Sequence, residues 1–354
     1  MTVRRAIVYS MLATAVCQPA GCASKPGANP TGPAKVRPAA VAGTFYPADP
    51  TQLRSMIDQL LSRAQPPKIE GELIGLISPH AGYVYSGGVA AHGYALLRGI
   101  KYERVVVISP SHIDFFNFSA VYDGDAYETP LGQIPVDKEF AQQLAAADRS
   151  IRLSDRGHRV AAGQAEHALE VQLPFLQVTL GQFRLVPIVM GDQRYELCRA
   201  LGVALAKTIG NSKTLIVASS DLSHYHPYAQ ATSLDQKTLR AIQEWDYLSL
   251  SRNFEAQVWE ACGGGPIIAA MIAAERLGAK QAILAKYANS GDVTGDKSRV
   301  VGYGSVALVK PARRAQAVEP AFELSEDEQK TLLEIARKSV ETAVKEHRLY
   351  ECPA

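Results

Sequence analysis

The 354-residue sequence has few cysteines, almost no net charge and no hydrophobic run that clearly spans a bilayer. Setting Cys17 and Cys22 aside leaves Cys198, Cys262 and Cys352, an odd number at wide spacing that suggests no disulfide framework, even in an oxidising compartment. A formal net charge of +2, with basic residues scattered rather than clustered, gives no argument for a nucleic-acid surface. The three glycines at 263–265 are not followed by Lys-Ser or Lys-Thr, so a phosphate-binding P-loop is excluded there. What remains is an ordinary globular composition, 47% hydrophobic and 20% charged, in a chain long enough to bury a substantial core.

The start of the chain reads as a targeting segment. Arg4 and Arg5 precede an apolar stretch over 6–16 that is too short to cross a membrane. Pro19, Ala20, Gly21 and Cys22 resemble a lipobox, with Cys22 as the lipidated residue; an ordinary cleaved signal is the alternative. Residues 1–22 are thus expected to be a signal peptide or lipoprotein signal. Residues 23–36, rich in Lys, Pro, Gly and Ala, cannot build a core and read as a flexible linker. The expected location is exported, periplasmic or membrane-anchored, touching membrane only through a lipid on Cys22.

Chemistry concentrates where apolar runs stop. Residues 73–77 (LIGLI) are too short for a typical helix and suit a buried parallel strand that delivers His80 to its C-terminal edge. Gly82, Gly87 and Gly88 follow as turn glycines, and Tyr83 and Tyr85 bring rings and hydroxyls near the imidazole. A second run, RVVVISPS at 104–111, ends at His112. A third, TLIVASS at 214–220, runs into Asp221, His224 and His226. Ligands of open α/β sheets bind outside such strand ends, so three strands delivering histidines there mark a functional site.

The rest is built around that edge. Asp49 and Pro50 cap a helix whose face is Leu53, Met56, Ile57, Leu60 and Leu61. Residues 89–97 read as a helix in which His92 is structural, and 113–118 as an aromatic stretch suited to wall a pocket. Asp137 caps the next helix. Glu166, His167 and Glu170 precede an apolar helix, which puts His167 and Glu170 three apart on one face; a second shell around the site and solvated helix charges are both compatible with this. Cys198 reads as core. Cys262 precedes a helix start at Pro266, where unpaired amides and the helix dipole favour a thiolate. Strands at 283–287 and 300–309 flank a polar loop at 290–297. Past 312, Ser325 and Glu328 form a capping box for an amphipathic helix whose apolar face must pack on something. The expected fold is α/β, a single large domain at 37–312 with a central, mostly parallel sheet flanked by helices, and 313–354 as linker and C-terminal helix.

VAGTFYP (41–47), SPHAGYVYSG (78–87), SPSH (109–112), TPLGQIPVD (129–137), EHALEVQLPFL (166–176), SSDLSHY (219–225), ACGGGP (261–266) and VGYGS (301–305) resemble the Memo-like family, protein B of the AmmeMemoRadiSam system. The last helix resembles the opening of that system's small companion domain. The family fold is similar to that of class III extradiol dioxygenases, non-haem iron enzymes. By that resemblance His80 and His112 match two histidine metal ligands, Cys262 takes the place of the carboxylate, and His224 matches the acid/base histidine. Imidazole and thiolate together suit iron(II), copper or zinc, and leave open coordination positions. A thiolate is softer and more easily oxidised than a carboxylate, so ring cleavage does not come with the fold.

Three readings stay open. The first is a metal-dependent, oxidoreductase-like enzyme in which Asp221 orients His224 and a substrate pocket includes Tyr83, Tyr85, His167 and Glu170. Its partners are an unknown small molecule or peptide, and the radical SAM and companion-domain proteins of the system. The second is a binding module for a peptide or small ligand. The third is a hydrolase using Ser220, Asp221 and His224, whose crowding in sequence is unlike a nucleophile elbow.

Overall fold

A computed structural model describes residues 34–161, 164–312, 325–347 and 350. The expected signal segment, most of the first linker and residues 313–324 lie outside the described residues.

The apolar runs become the middle of a nine-stranded sheet: β1 (Gly71–Ser78), β2 (Arg104–Pro110), β3 (Ser119–Val121), β4 (Ile151–Leu153), β5 (Arg184–Met190), β6 (Thr214–Ser219), β7 (His224–His226), β8 (Gln281–Asn289) and β9 (Val300–Pro311). The order is β7-β9-β1-β6-β2-β5-β3-β4, with β8 also paired to β9. Strands β1, β6, β2 and β5 are parallel. Strand β9 runs antiparallel to β1, β7 and β8, and β3 antiparallel to β5. The sheet is therefore mixed, with the expected parallel order at its centre and again between β3 and β4. The physical reason is connection length: β8 and β9 are joined by residues 290–299 alone, too short a span for a parallel crossover.

Alternation explains why the central strands read as unbroken apolar runs. Ile74, Val106 and Ile216 enter one buried cluster, and Leu73, Val105 and Leu215 the other, because successive side chains leave a strand on opposite faces. One face is covered by α1 (Pro50–Arg63), α2 (Tyr83–Ala95) and α4 (Leu173–Leu180). The other is covered by α3 (Lys138–Ala147), α5 (Tyr195–Ile209), α6 (Tyr228–Gln243), α7 (Tyr247–Glu255) and α8 (Gly264–Arg276). Asp49 caps α1, accepting from the Gln52 amide at 2.8 Å, and Asp137 caps α3. Cys198 is fully buried in α5, as its sequence setting implies.

Two local expectations are corrected. Helix α2 begins at Tyr83, so Gly87 and Gly88 lie inside it rather than in turns; a Cβ on Gly87 would sit 2.9 Å from the Leu60 side chain, so that glycine lets α1 and α2 approach. The polar loop after β8 contains α9 (Ser290–Thr294), closed by an Asn289–Asp292 capping box. Helix α10 (Glu326–Glu346) carries the expected Ser325–Glu328 box; its Leu332, Leu333, Val340 and Val344 are exposed, while Thr342 is buried.

Candidate functional site

Strands β1, β2 and β6 end side by side, and the residues just beyond them converge. His80 follows β1 and is 2% exposed. Its ring lies 5.3 Å from that of His112, which follows β2, and its Nε2 is 3.1 Å from the Cys262 Sγ. Cys262 arrives on the loop before α8. Gly263 makes that approach feasible, since a Cβ there would lie 2.2 Å from the Ser219 carbonyl at the end of β6.

Hydrogen bonds determine which imidazole nitrogens face the centre. The Ser219 hydroxyl has one proton and donates it to the Ala168 carbonyl at 2.6 Å. Its oxygen accepts from Gln172 Nε2 at 2.7 Å, so the 2.9 Å contact with His80 Nδ1 has the imidazole as donor. That tautomer leaves the His80 Nε2 lone pair facing Cys262. Gln172 is itself fixed by donating to the Pro79 carbonyl and accepting from the Tyr94 hydroxyl. On the other side, Glu166 accepts from His112 Nδ1 at 2.9 Å and from the amides of His112, His167 and Ala168. A carboxylate can only accept, so His112 Nδ1 carries a proton and its Nε2 is the free ligand atom. The ligand atoms of His80, His112 and Cys262 all lie within 4.8 Å of one another. Two donors on a tetrahedral ion with bonds of 2.0–2.3 Å are roughly 3.5 Å apart, so this set holds a metal after closing by up to about 1 Å.

Burial governs the protonation states. Burial, followed by the charge of His112, pushes His80 down to about 3, and burial with His80 beside it pushes His167 down to about 4. Both are neutral and ligand-competent at pH 7. For His112, burial lowers basicity, but the Glu166 bond and charge outweigh it and raise the net value. Glu166 is held at about 2: burial opposes ionisation, while His112 and the amides more than offset that. Without a bound metal, the surroundings of Cys262 disfavour the thiolate that the helix start alone would favour. Burial and the nearby Asp221 carboxylate raise the thiol well above its ordinary range, more than the amides of Asp221 and Gly263 lower it.

The remaining candidates divide. His167 joins the cluster, stacked on His112 with centroids 4.8 Å apart and edge-on to His80 at 5.3 Å. Glu170 does not. It is completely buried, paired with Arg37, and accepts from the Tyr46 hydroxyl at 2.6 Å and the Ala40 and Val41 amides, so it clamps residues 37–46 instead of lining a pocket. Tyr83 is also buried, its hydroxyl spent on the Val171 carbonyl at 2.7 Å; Tyr85 alone of the two tyrosines is exposed. In the 113–118 stretch, Phe116 and Phe118 pack inward and only Phe115 is largely exposed among the phenylalanines.

Asp221 accepts from the His80 amide at 2.8 Å, so its carboxylate braces the ligand loop and acts on His224 only through its charge. His224 lies on a cleft of about 490 Å³ with Phe254, Gln257, Trp259, Glu260 and Cys262. Glu260 accepts from the His224 amide at 3.1 Å and pairs with His226 at 2.7 Å, a contact with no signal in the sequence. Ser220 is fully buried, donates to the Asp221 carbonyl and accepts from the Gly263 amide, which leaves the hydrolase reading without a nucleophile.

A family model described as Memo-like protein matches residues 37–307. MEMO1 family proteins of Sulfolobus acidocaldarius, Aeropyrum pernix and Nitrosopumilus maritimus are 37%, 39% and 36% identical to the chain. Each alignment covers 77% of this chain and 98%, 100% and 100% of the respective relative. Among solved structures, an uncharacterized protein from Escherichia coli K12 aligns with a TM-score of 0.47 at 14% identity, over 67% of this chain and 100% of that one.

Proposed function

The chain belongs to the Memo-like family, and from that premise we propose that it is a metal-binding protein with an oxidoreductase-like site, working within the AmmeMemoRadiSam system. His80, His112 and Cys262 are the ligands, and iron(II) or copper suits their mixed imidazole and thiolate character better than it suits an all-oxygen set; zinc also accepts these donors. The observation that carries this reading is the orientation of the two imidazoles. Each Nδ1 is tied back, to Ser219 and to Glu166, which leaves the opposite nitrogens as donors, and His80, His112 and Cys262 each bring a ligand atom within 4.8 Å of the others.

When bound, such a metal supplies Lewis acidity and, as iron or copper, redox capacity. The chain's own residues do the rest. His224, which lines the adjoining cleft, exchanges a proton with a ligand there, and Trp259 and Phe254 give that cleft apolar walls. The substrate is a small molecule or peptide segment that enters this cleft. The proposed partners are the radical SAM and small companion-domain proteins of the same system.

The test is anaerobic purification followed by measurement of bound iron, copper and zinc, beside His80→Ala, His112→Ala and Cys262→Ser. Near-stoichiometric metal that disappears in all three variants supports the ligand set. Metal retained in the variants, or none in the native protein, overturns it and leaves the cleft as a ligand-binding module.

A further inference from the structure

The opposite edge of the sheet holds a second concave site that the histidine centre does not use. A cavity of about 840 Å³ lies where β1 and β6 begin, bordered by the residues that follow α2, α5 and α8. Its charge is one-sided. Lys101, Lys213, Arg276 and Lys310 line it against a single carboxylate, Glu72. Only Lys310 approaches that carboxylate, at 3.9 Å; Lys101, Lys213 and Arg276 form no ion pair among the described residues. Ile100 and Leu277 give the same cavity apolar wall.

Two helix dipoles narrow the choice of occupant. Helices α5 and α8 both end at this cavity, so their carbonyl-rich, partially negative ends face into it. A small anion would be drawn by the side chains and repelled by those helix ends. The N-terminus of another helix can match each feature separately, its acidic side chains reaching the basic ones and its positive backbone end facing the negative helix ends.

The chain carries such a helix. Helix α10 opens with Glu326, Asp327 and Glu328. Its Leu333, Val340 and Val344, spaced along one face, are 63%, 63% and 68% exposed. The strand leading to it leaves the sheet at the cavity itself. Lys310 lines the cavity, and Lys310, Pro311 and Ala312 line an adjoining groove with Gly71 and Glu72. Residues 313–324 can span up to about 40 Å when extended, which exceeds the roughly 30 Å length of α10.

We propose that this cavity is the docking place of the chain's own C-terminal helix, with the acidic first turn of α10 seated among Lys101, Lys213 and Arg276 and its apolar stripe laid over Ile100 and Leu277. The docked helix leaves the histidine edge open. The assignment does not depend on the metal reading.

A zero-length carbodiimide cross-linker, which joins a carboxylate only to an amine in contact with it, tests this on the full chain. The expected product is an amide bond from Glu326 or Asp327 to Lys101 or Lys213, mapped by mass spectrometry in monomeric protein. Its yield should fall on the order of tenfold at 1 M salt, where surface charges are screened within about 3 Å. The yield should fall similarly in a Glu326→Gln, Asp327→Asn variant. In that variant, amides 99–102 and 210–213 should exchange hydrogen several-fold faster than in the native chain. No such bond, or bonds found only in covalent dimers, overturns the proposal. So does equal protection of those amides by inorganic pyrophosphate in native and variant chains, which would make the cavity a small-anion site.

Discussion

Glu166 is the residue on which the site's geometry most depends, although it is not one of the three proposed ligands. Four donors converge on its buried carboxylate, two of them from His112 and one from His167. Replacing it by Gln keeps the shape but turns one accepting oxygen into a donor facing other donors. Glu166→Gln is therefore expected to lower metal affinity by about 10–100-fold, the usual effect of losing a carboxylate behind a histidine ligand, while the fold is retained. Metal titration of the variant at unchanged circular dichroism checks this. Unaltered affinity would show that His112 is held by other means. The sequence offered Glu166 and Glu170 as similar acids four residues apart. Only the turn of the backbone between them sends one to the histidines and the other to Arg37.

At the scale of elements, the site is a meeting of strand ends with one helix start, and the glycine before α8 controls the meeting. The loop bearing Cys262 lies against β6 so closely that Gly263 has no room for a side chain, its nearest obstacle being the backbone oxygen of Ser219. Backbone cannot swing aside as a flexible side chain can. Gly263→Ala is expected to destabilise the fold by about 1–3 kcal/mol, as overpacking commonly does, and to move Cys262 away from His80. Denaturant unfolding measures the first effect, and loss of bound metal in the folded fraction measures the second. A variant with native stability and native metal content would refute the packing argument. The same elements show how much a reading of pattern can reach. Caps at Asp49, Asp137 and Ser325 are local hydrogen bonds between near neighbours, so the sequence displays them. Helix α2 is harder to read because Gly87 and Gly88 resemble turn residues, and the close approach of α1 that calls for Gly87 is a tertiary contact.

For the molecule as a whole, buried neutral histidines link stability to pH. His158 accepts from the Tyr127 hydroxyl, donates to the Ala120 carbonyl at 3.0 Å, and is pushed by burial from 6.5 down to about 3. Between those values the unfolded chain binds a proton that the folded chain refuses, so stability falls as pH drops from 6.5 toward 3. Each such histidine costs up to about 1.4 kcal/mol per pH unit inside that window. His80 and His167 act in the same direction, and His112, raised by Glu166, acts against them. Unfolding midpoints measured at pH 7 and pH 5 should differ accordingly, with a smaller difference in His158→Gln. An unchanged pH dependence in that variant would exclude His158 as a contributor.

The sequence by itself determined the α/β class, the buried strands, their termination at His80, His112 and Asp221, and the family, because each is written in short contiguous stretches. Residues near in sequence share one local conformation, and alternation or capping there depends on neighbours alone. Tertiary structure decided the mixed strand order, the tautomer of His80, the division between Glu166 and Glu170, the burial that raises the Cys262 thiol and the inward turn of Tyr83. Each of these depends on groups distant in the chain, such as Ser219 against His80 or Asp221 against Cys262. A hydrogen-bond direction or a desolvation penalty arises only when folding brings both partners together and removes water from between them.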